Sequence, residues 1–258
     1  MSLLCTIIPM FGMQDPSQTL LQIERYIAEG RLEISEVMAT QFCELMLATK
    51  KREPQQRIFL LKGLRLLCDV YLLRGKSAQS MKSISRMHAE RKLLTKVLQR
   101  HAPEMLASMR PEHEDHLRAG KLYAAAGKKK AAVKSFSRCE KLSPGHLAAA
   151  LSAVEAMPTA THVQRLLTAI ELAGDVILSN GQFQLQPHTS QVVSLDEVLQ
   201  SLMKCCDTVP AQATACRAAH SQLIEQQSAI RAGEQAANAR LQSALDSLQP
   251  KHDYYQYG

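Results

Sequence analysis

Aromatic side chains are scarce in this chain of 258 residues, which has no Trp and only 4% Phe, Trp and Tyr together. Gly and Pro are also sparse, with 11 and 10 residues. A strand-rich fold draws on aromatic and β-branched residues, so this composition argues against a sandwich or a barrel. Hydrophobic residues make up 46% of the chain, and its abundant Ala, Leu, Met, Gln and Lys favour helix. The composition therefore predicts an all-α protein with an ample core.

Paired cysteines are absent as well. The seven cysteines are scattered and contain no Cys-x-x-Cys motif, so the chain has no framework for a structural zinc site. An odd number of dispersed cysteines fits a reducing compartment, and we expect an intracellular protein, cytoplasmic or nuclear, with mostly buried thiols. The adjacent pair Cys205–Cys206 leaves redox or lipid chemistry open as an alternative.

The motifs of common enzymes are missing too. The chain has no glycine-rich phosphate loop, no Gly-x-Ser-x-Gly elbow and no His-Glu-x-x-His pair. We therefore expect no catalytic residues and no cofactor. The run His113-Glu-Asp-His116 could hold a metal through its histidines, but acidic residues also complement the dipole at a helix start, and we predict no metal site.

Long apolar runs are the last absence. No run approaches the ~18 apolar residues of a membrane span, so we expect no membrane span. Met1–Met13 carries no charged side chain and lacks the basic start of a secretory signal. We expect this segment to pack on the first helix.

Positive charge is concentrated in the middle of the chain. The formal net charge is +7, yet residues 50–141 contain 23 Lys plus Arg against 8 Asp plus Glu. A basic centre attracts nucleic acid, acidic lipid or an acidic protein. Aromatic residues for base stacking do not interleave with it. The residues that would contact nucleic acid are Lys50, Lys51, Arg52, Lys128, Lys129 and Lys130.

The spacing Tyr-x-x-x-Gly occurs three times in the first half of the chain and predicts helical hairpins there. It is found at Tyr26/Gly30, Tyr71/Gly75 and Tyr123/Gly127. Each copy ends one apolar helical pattern and precedes another, and glycine permits the sharp reversal between them. The sequence therefore predicts three antiparallel helix pairs whose tyrosines pack into their own hairpins.

The third of these hairpins, residues 113–144, carries the most specific pattern. Small residues fall where two helices would cross closely, aromatic residues fall beside them, and a proline stops the second helix. The positions are Gly120, Tyr123, Gly127, Ala132, Phe136 and Pro144. The segment resembles a tetratricopeptide repeat (TPR), a helix–turn–helix unit of about 34 residues. Cys139, His116 and Ala119 depart from the residues that are common in that family, and the two earlier hairpins are degenerate.

This resemblance implies stacked TPR-like antiparallel hairpins, arranged as a solenoid or bundle, whose first helices line a groove. It also implies a non-enzymatic scaffold or adaptor that binds other protein subunits, with acidic peptides or helices among the candidate ligands. A nucleic-acid-associated repeat protein is the alternative, and steep salt dependence would favour it. The expected partner-binding residues are Glu114, Leu117, Lys121, Ala124, Ala125, Lys128, Lys129 and Lys130.

The remaining segments complete the predicted organisation. Asn180-Gly181 marks a small hairpin or only a long loop, and Ser194 with Glu197 resembles a capping box at a helix start. The predicted segments are an N-terminal helical hairpin over 1–53, a TPR-like core over 54–174, an irregular insertion or loop over 175–193, C-terminal helices over 194–250 and a flexible tail over 251–258.

Overall fold

A computed structural model describes residues 15–106, 109–185 and 192–248 of the chain. The predicted tail at 251–258 and the N-terminal segment 1–13 lie outside these residues. The chain divides into two compact units, residues 1–143 and 144–258. Buried apolar side chains form one cluster in each unit, and the division falls within the segment 54–174 of the predicted TPR-like core.

The first unit consists of three antiparallel helix pairs. The pairs are α1 with α2, α3 with α4, and α5 with α6, and each packs along its length. A short 3-10 helix at Pro103–Leu106 separates the second pair from the third. The helices are α1 (Pro16–Ala28), α2 (Leu32–Ala48), α3 (Pro54–Leu73), α4 (Ser77–His101), α5 (Glu112–Ala125) and α6 (Lys129–Leu142).

The three Tyr-x-x-x-Gly sites form the same turn. Gly30, Gly75 and Gly127 all adopt the left-handed conformation, with φ of 72°, 67° and 71°. In each turn the N–H of the residue after glycine donates to the tyrosine carbonyl at 2.8 Å, and the glycine N–H donates to the carbonyl three residues before it. This is the Schellman arrangement, which caps otherwise unsatisfied helix carbonyls. The predicted repetition of the hairpin is therefore present in the backbone.

Gly120 of α5 faces the side chain of Phe136 on α6 at short distance. A Cβ atom placed there would lie 2.3 Å from Cε1 of Phe136, whose ring is fully buried. Ala132 on α6 is also fully buried. The small residue and the aromatic ring of the predicted repeat therefore occupy complementary positions, and a side chain at Gly120 would displace the ring.

In its described residues, the second unit combines four α-helices and a short 3-10 helix at Pro210–Gln212 with a small antiparallel sheet. The helices α7 and α8 form a fourth antiparallel pair, and α9 packs on α7 and on the following helix α10. The elements are α7 (Leu147–Ala156), α8 (Ala160–Ala173), β1 (Val176–Ser179), β2 (Gln182–Leu185), β3 (Val193–Ser194), α9 (Leu195–Thr208) and α10 (Ala213–Leu248).

The structure has a small sheet in the segment 175–193, for which the sequence left a small hairpin or a long loop open. β1 and β2 pair through a tight turn at Asn180 and Gly181, which have φ of 51° and 75°. Two consecutive positive φ angles match the Asn-Gly type of hairpin turn. β3 then pairs with β2, so part of the segment is regular. Ser194 is the N-cap of α9 as predicted, but its side chain makes no capping hydrogen bond.

The cysteines of the described residues are buried thiols. All six are free and buried, as expected of small hydrophobes in helical cores. Burial raises the pKa of Cys43 and Cys68 to about 12, so neither thiol is a ready nucleophile. Cys205 and Cys206 of α9 both interact with Cys216 of α10, and burial also raises the pKa of Cys216, to about 11. Among the described residues, no helix is long and apolar enough to cross a membrane.

Candidate binding cleft

The first helices of the three hairpins in the first unit share a cleft of about 470 Å³. Its walls come from α1, α3 and α5, and Arg110 from the segment before α5 completes them. Both apolar and basic side chains line this cleft. The lining residues are Ser17, Leu20, Leu21, Glu24, Phe59, Lys62, Arg65, Leu66, Asp69, Arg110 and Arg118.

A buried ionic cluster forms the floor beside this cleft. Asp115 of α5 is 0% exposed, and its two carboxylate oxygens accept hydrogen bonds from Nε and Nη2 of Arg65 at 2.6 and 3.0 Å. Arg91 of α4 donates to the same carboxylate through Nε and to the carbonyl of Arg110 through Nη2. The cluster therefore joins α3, α4 and α5 at one point.

The electrostatics of Asp115 follow from these contacts. Burial by itself pushes the pKa of this carboxyl upward, but the hydrogen bonds and charges of Arg65 and Arg91 outweigh burial and hold the pKa below its ordinary value of 3.8. The carboxylate is thus ionised at neutral pH. A second pair, Arg118 of α5 with Asp69 of α3, lies next to it, and Nη1 of Arg118 is 3.7 Å from Oδ1 of Asp115.

Two cations at the cleft remain available to a ligand. Lys62 of α3 and Arg110 are exposed, and neither forms an ion pair within the described part of the chain. Counting Arg91 and Asp115 below the surface, five cations face three carboxylates at this site. The cleft is therefore electropositive and presents its unpaired charge at the surface, where it can meet an anionic group.

Apolar side chains lie beside these cations. Leu21 of α1 is 64% exposed, and Leu20, Phe59 and Leu66 provide the neighbouring apolar surface. An exposed leucine beside free cations is the mixture of an apolar anchor and polar contacts that small binding sites use. The cleft can thus hold a segment with both apolar and acidic side chains.

The partner-binding residues expected from the sequence lie elsewhere. From α5 the cleft is lined by Arg118, and its lining includes none of the eight residues predicted. Leu117 is buried, Glu114 and Ala124 are half-buried, and Lys121 and Ala125 are exposed. Lys128–Lys130 are exposed at the turn into α6. For Leu117, its burial within the folded chain removes it from the available surface.

One residue in the sequence could have indicated the cleft, but it lies within an apolar helical pattern. Arg65 interrupts the apolar face of α3, between Leu64 and Leu66, and a cation in such a position requires a buried partner. The partner, Asp115, is 50 residues away and could not be identified without the packing of α3 against α5.

The second unit has a cleft of its own, with the opposite charge. It measures about 410 Å³ between α8 and α10, and its charged lining residues are Glu171 and Asp175. Gln226 on its wall accepts a hydrogen bond from the N–H of Val176 at the start of β1. The described residues that line this cleft include no Lys or Arg side chain. This cleft therefore does not favour an acidic ligand.

Comparison with known proteins identifies the fold. No protein-family model matches the chain, and no curated protein matches it. Two crystal structures of a putative kinesin light chain with nearly identical TPR-like repeats, from Podosopora anserina, are similar to it, and one of the two is of a single-residue variant. Their TM-scores are both 0.51, with 16% and 18% identity, and the alignments cover 87% and 86% of this chain and 99% of those chains. With the three repeated turns, this likeness confirms that the chain has a TPR-like helical-repeat fold.

Proposed function

We propose that the protein is a non-enzymatic adaptor that holds an acidic segment of another protein in the cleft of α1, α3 and α5. The free cations Lys62 and Arg110 beside exposed Leu21 support this assignment, because they offer both charge and an apolar anchor. Such a preformed site suits an extended peptide or one face of a helix, and the positive potential would speed its association.

The buried cluster gives the cleft its rigidity. Arg65 lines the cleft while its guanidinium is fixed by two hydrogen bonds to Asp115. Arg118 is likewise held by Asp69. A wall made of fixed side chains loses little conformational entropy when a ligand binds. The favourable contacts of Lys62 and Arg110 are therefore not offset by the cost of ordering the site.

Charge reversal at the cleft tests this function. The double variant Lys62→Glu/Arg110→Glu should bind its protein partners with an affinity lower by about tenfold or more, because two attractive charges become two repulsive ones. The measurement is affinity purification from nuclease-treated lysate followed by quantitative mass spectrometry. Synthetic peptides from the proteins that are lost would then be titrated against the purified wild-type chain.

The matched control is Lys129→Glu/Lys130→Glu, which changes the net charge equally at exposed positions outside the cleft. It should retain the same partners as the wild type. Equal capture by wild type and cleft variant would exclude the cleft as the docking site, and equal loss from both variants would reduce the effect to net charge.

A further inference from the structure

The second helices of two hairpins, α4 and α6, carry a surface of a different kind from the cleft. Their solvent-exposed positions include seven lysines and three arginines, and no exposed acidic residue belongs to the described part of either helix. We call this surface the α4/α6 face, and its cations are Lys82, Arg86, Lys92, Lys96, Arg100, Lys129, Lys130, Lys134, Arg138 and Lys141.

The acidic residues of these helices do not neutralise the face. Glu90 of α4 is buried and accepts hydrogen bonds from Arg52 and Arg57, so its charge is already used. Glu140 of α6 is half-buried. Exposed carboxylates occur on adjacent helices at Glu44 of α2 and Glu112 of α5, and Glu112 contacts His116 at 3.4 Å.

Both helices pack on α5. His88 of α4 stacks on His116 of α5, with ring centroids 4.8 Å apart. The pKa of His116 is lowered, mainly by burial, and the charge of Arg138 on α6 lowers it further. Arg138 therefore lies near the His88–His116 pair, which connects the cation-bearing helices α4 and α6 through α5.

The cations form two rows of measurable length. At 1.5 Å per residue, Lys82 to Arg100 spans about 27 Å along α4, and Lys129 to Lys141 spans about 18 Å along α6. Neighbouring cations along α4 are separated by four or six residues. Each row is an extended line of positive charge, which a single carboxylate or a short peptide would not fill.

The composition of the face favours one class of partner. Protein interfaces are depleted in lysine and enriched in Tyr, Trp and Phe, whereas seven of these ten cations are lysine and no exposed Tyr, Trp or Phe belongs to the described part of α4 or α6. Helices that lie in a membrane surface insert an apolar side, but Ile84, Met87 and Leu94 of α4 are buried in the core, and Leu93 is the one large apolar side chain in the described part of α4 that is exposed. The remaining class of partner is a nucleic acid bound through its phosphates. The lack of aromatic side chains for stacking argues against recognition of unpaired bases.

We infer that the α4/α6 face binds double-helical nucleic acid through its phosphate backbone, without reading its sequence. A duplex offers one negative charge per about 1.7 Å of its axis, which matches two extended rows of flexible cations. Lysine suits such contacts because it acts as a mobile point charge. This function goes beyond protein binding in the cleft, which uses other helices.

Anisotropy titration of a fluorescent 20-base-pair DNA duplex with the full chain measures this binding. With about five phosphates contacted, the slope of log K against log salt should be about −4 to −5, and a scrambled duplex should bind equally. A duplex of RNA with the same length should also bind, because both backbones present phosphates. Binding that is undetectable in 100 mM salt at 100 μM protein, on the order of the weakest nonspecific affinities, would overturn the inference.

A matched pair of variants locates the contact. Lys96→Gln/Lys134→Gln should reduce the magnitude of the salt slope by about 2, whereas Lys62→Gln/Arg110→Gln in the cleft removes the same charge and should leave the slope unchanged. A second pair, Lys82→Gln/Lys130→Gln, should repeat the first result. Equal slopes for wild type and both face variants would place the contact elsewhere.

Two further probes separate the competing partners. Single-stranded DNA of the same length should bind more weakly than the duplex. Vesicles containing 30% phosphatidylserine should also bind more weakly, and their binding should not depend on Lys96 and Lys134. Tighter binding of either probe would overturn the assignment to a duplex. A negative result for duplex binding would not affect the proposal for the cleft, because the partners lost from Lys62→Glu/Arg110→Glu are measured after nuclease treatment.

Discussion

Replacement of Asp115 by Asn is expected to lower the free energy of unfolding by about 3–5 kcal/mol. The carboxylate is fully buried and accepts hydrogen bonds from Arg65 and Arg91, whose side chains are 6% and 8% exposed. An amide of the same size leaves both guanidinium groups buried without a counter-charge, which is far more costly than loss of a surface pair. Urea unfolding followed by circular dichroism measures the difference.

The control for this variant is Glu29→Gln. Glu29 pairs with Arg25, whose side chain is 78% exposed, so solvent screening limits its contribution to at most about 1 kcal/mol. A difference between Asp115→Asn and Glu29→Gln of less than about 1 kcal/mol would contradict the account of the cluster as the junction of α3, α4 and α5.

Acid titration separates this electrostatic cause from a packing defect. Since the pKa of Asp115 is depressed in the folded state, its stabilisation is present above the unfolded value near 3.8 and is lost as pH falls through the lower folded value. The Asn variant lacks this contribution at every pH. The difference in stability between the two proteins should therefore be constant near neutrality and shrink below about pH 3.8.

Replacement of Gly120 by Leu is expected to destabilise the first unit by at least about 3 kcal/mol. Even the first added carbon would lie 2.3 Å from the fully buried ring of Phe136, and the helices cannot separate without losing their contact. Gly120→Ala should cost about 1–3 kcal/mol for the same reason. Thermal unfolding of the purified variants provides the measurement.

Two companion variants show whether the clash is the cause. Lys129→Ala alters an exposed side chain on α6 and should change stability by less than about 0.5 kcal/mol. Phe136→Leu should be less harmful in the Gly120→Ala background than in the wild type, because the smaller side chain leaves room for the new methyl group. Additive effects in this cycle would place the damage elsewhere than at the ring.

Local signals predicted most of the fold. The left-handed glycines at Gly30, Gly75 and Gly127 were identified because few other residues adopt that conformation, and the tyrosine before each fixed the helix end. The Asn-Gly turn indicated the hairpin of β1 and β2, but its short strands were too weak a pattern to distinguish from a loop. The division of the chain near Pro144 was missed, because helical periodicity continues on both sides of it.

The candidate site was harder to predict because its residues are brought together by packing. The cleft joins Leu21, Lys62 and Arg110 from three segments, and none of them is unusual in its own neighbourhood. The expected groove residues on α5 were assigned from the family pattern of one hairpin. The actual lining depends on how α5 is held against α3 by Asp115, a long-range pairing that periodicity does not encode.

First and second helices alternate along the first unit, so the lengths of the cleft and of the α4/α6 face both depend on the number of hairpins. First helices line the cleft, and the second helices α4 and α6 carry the basic face, while α2 contributes Glu33 and Glu36 instead. Tandem duplication of one hairpin would therefore lengthen both surfaces by a single step, whereas point substitutions tune each surface separately. Gene duplication thus changes the length of the two surfaces together, whereas point mutation changes the composition of each surface independently.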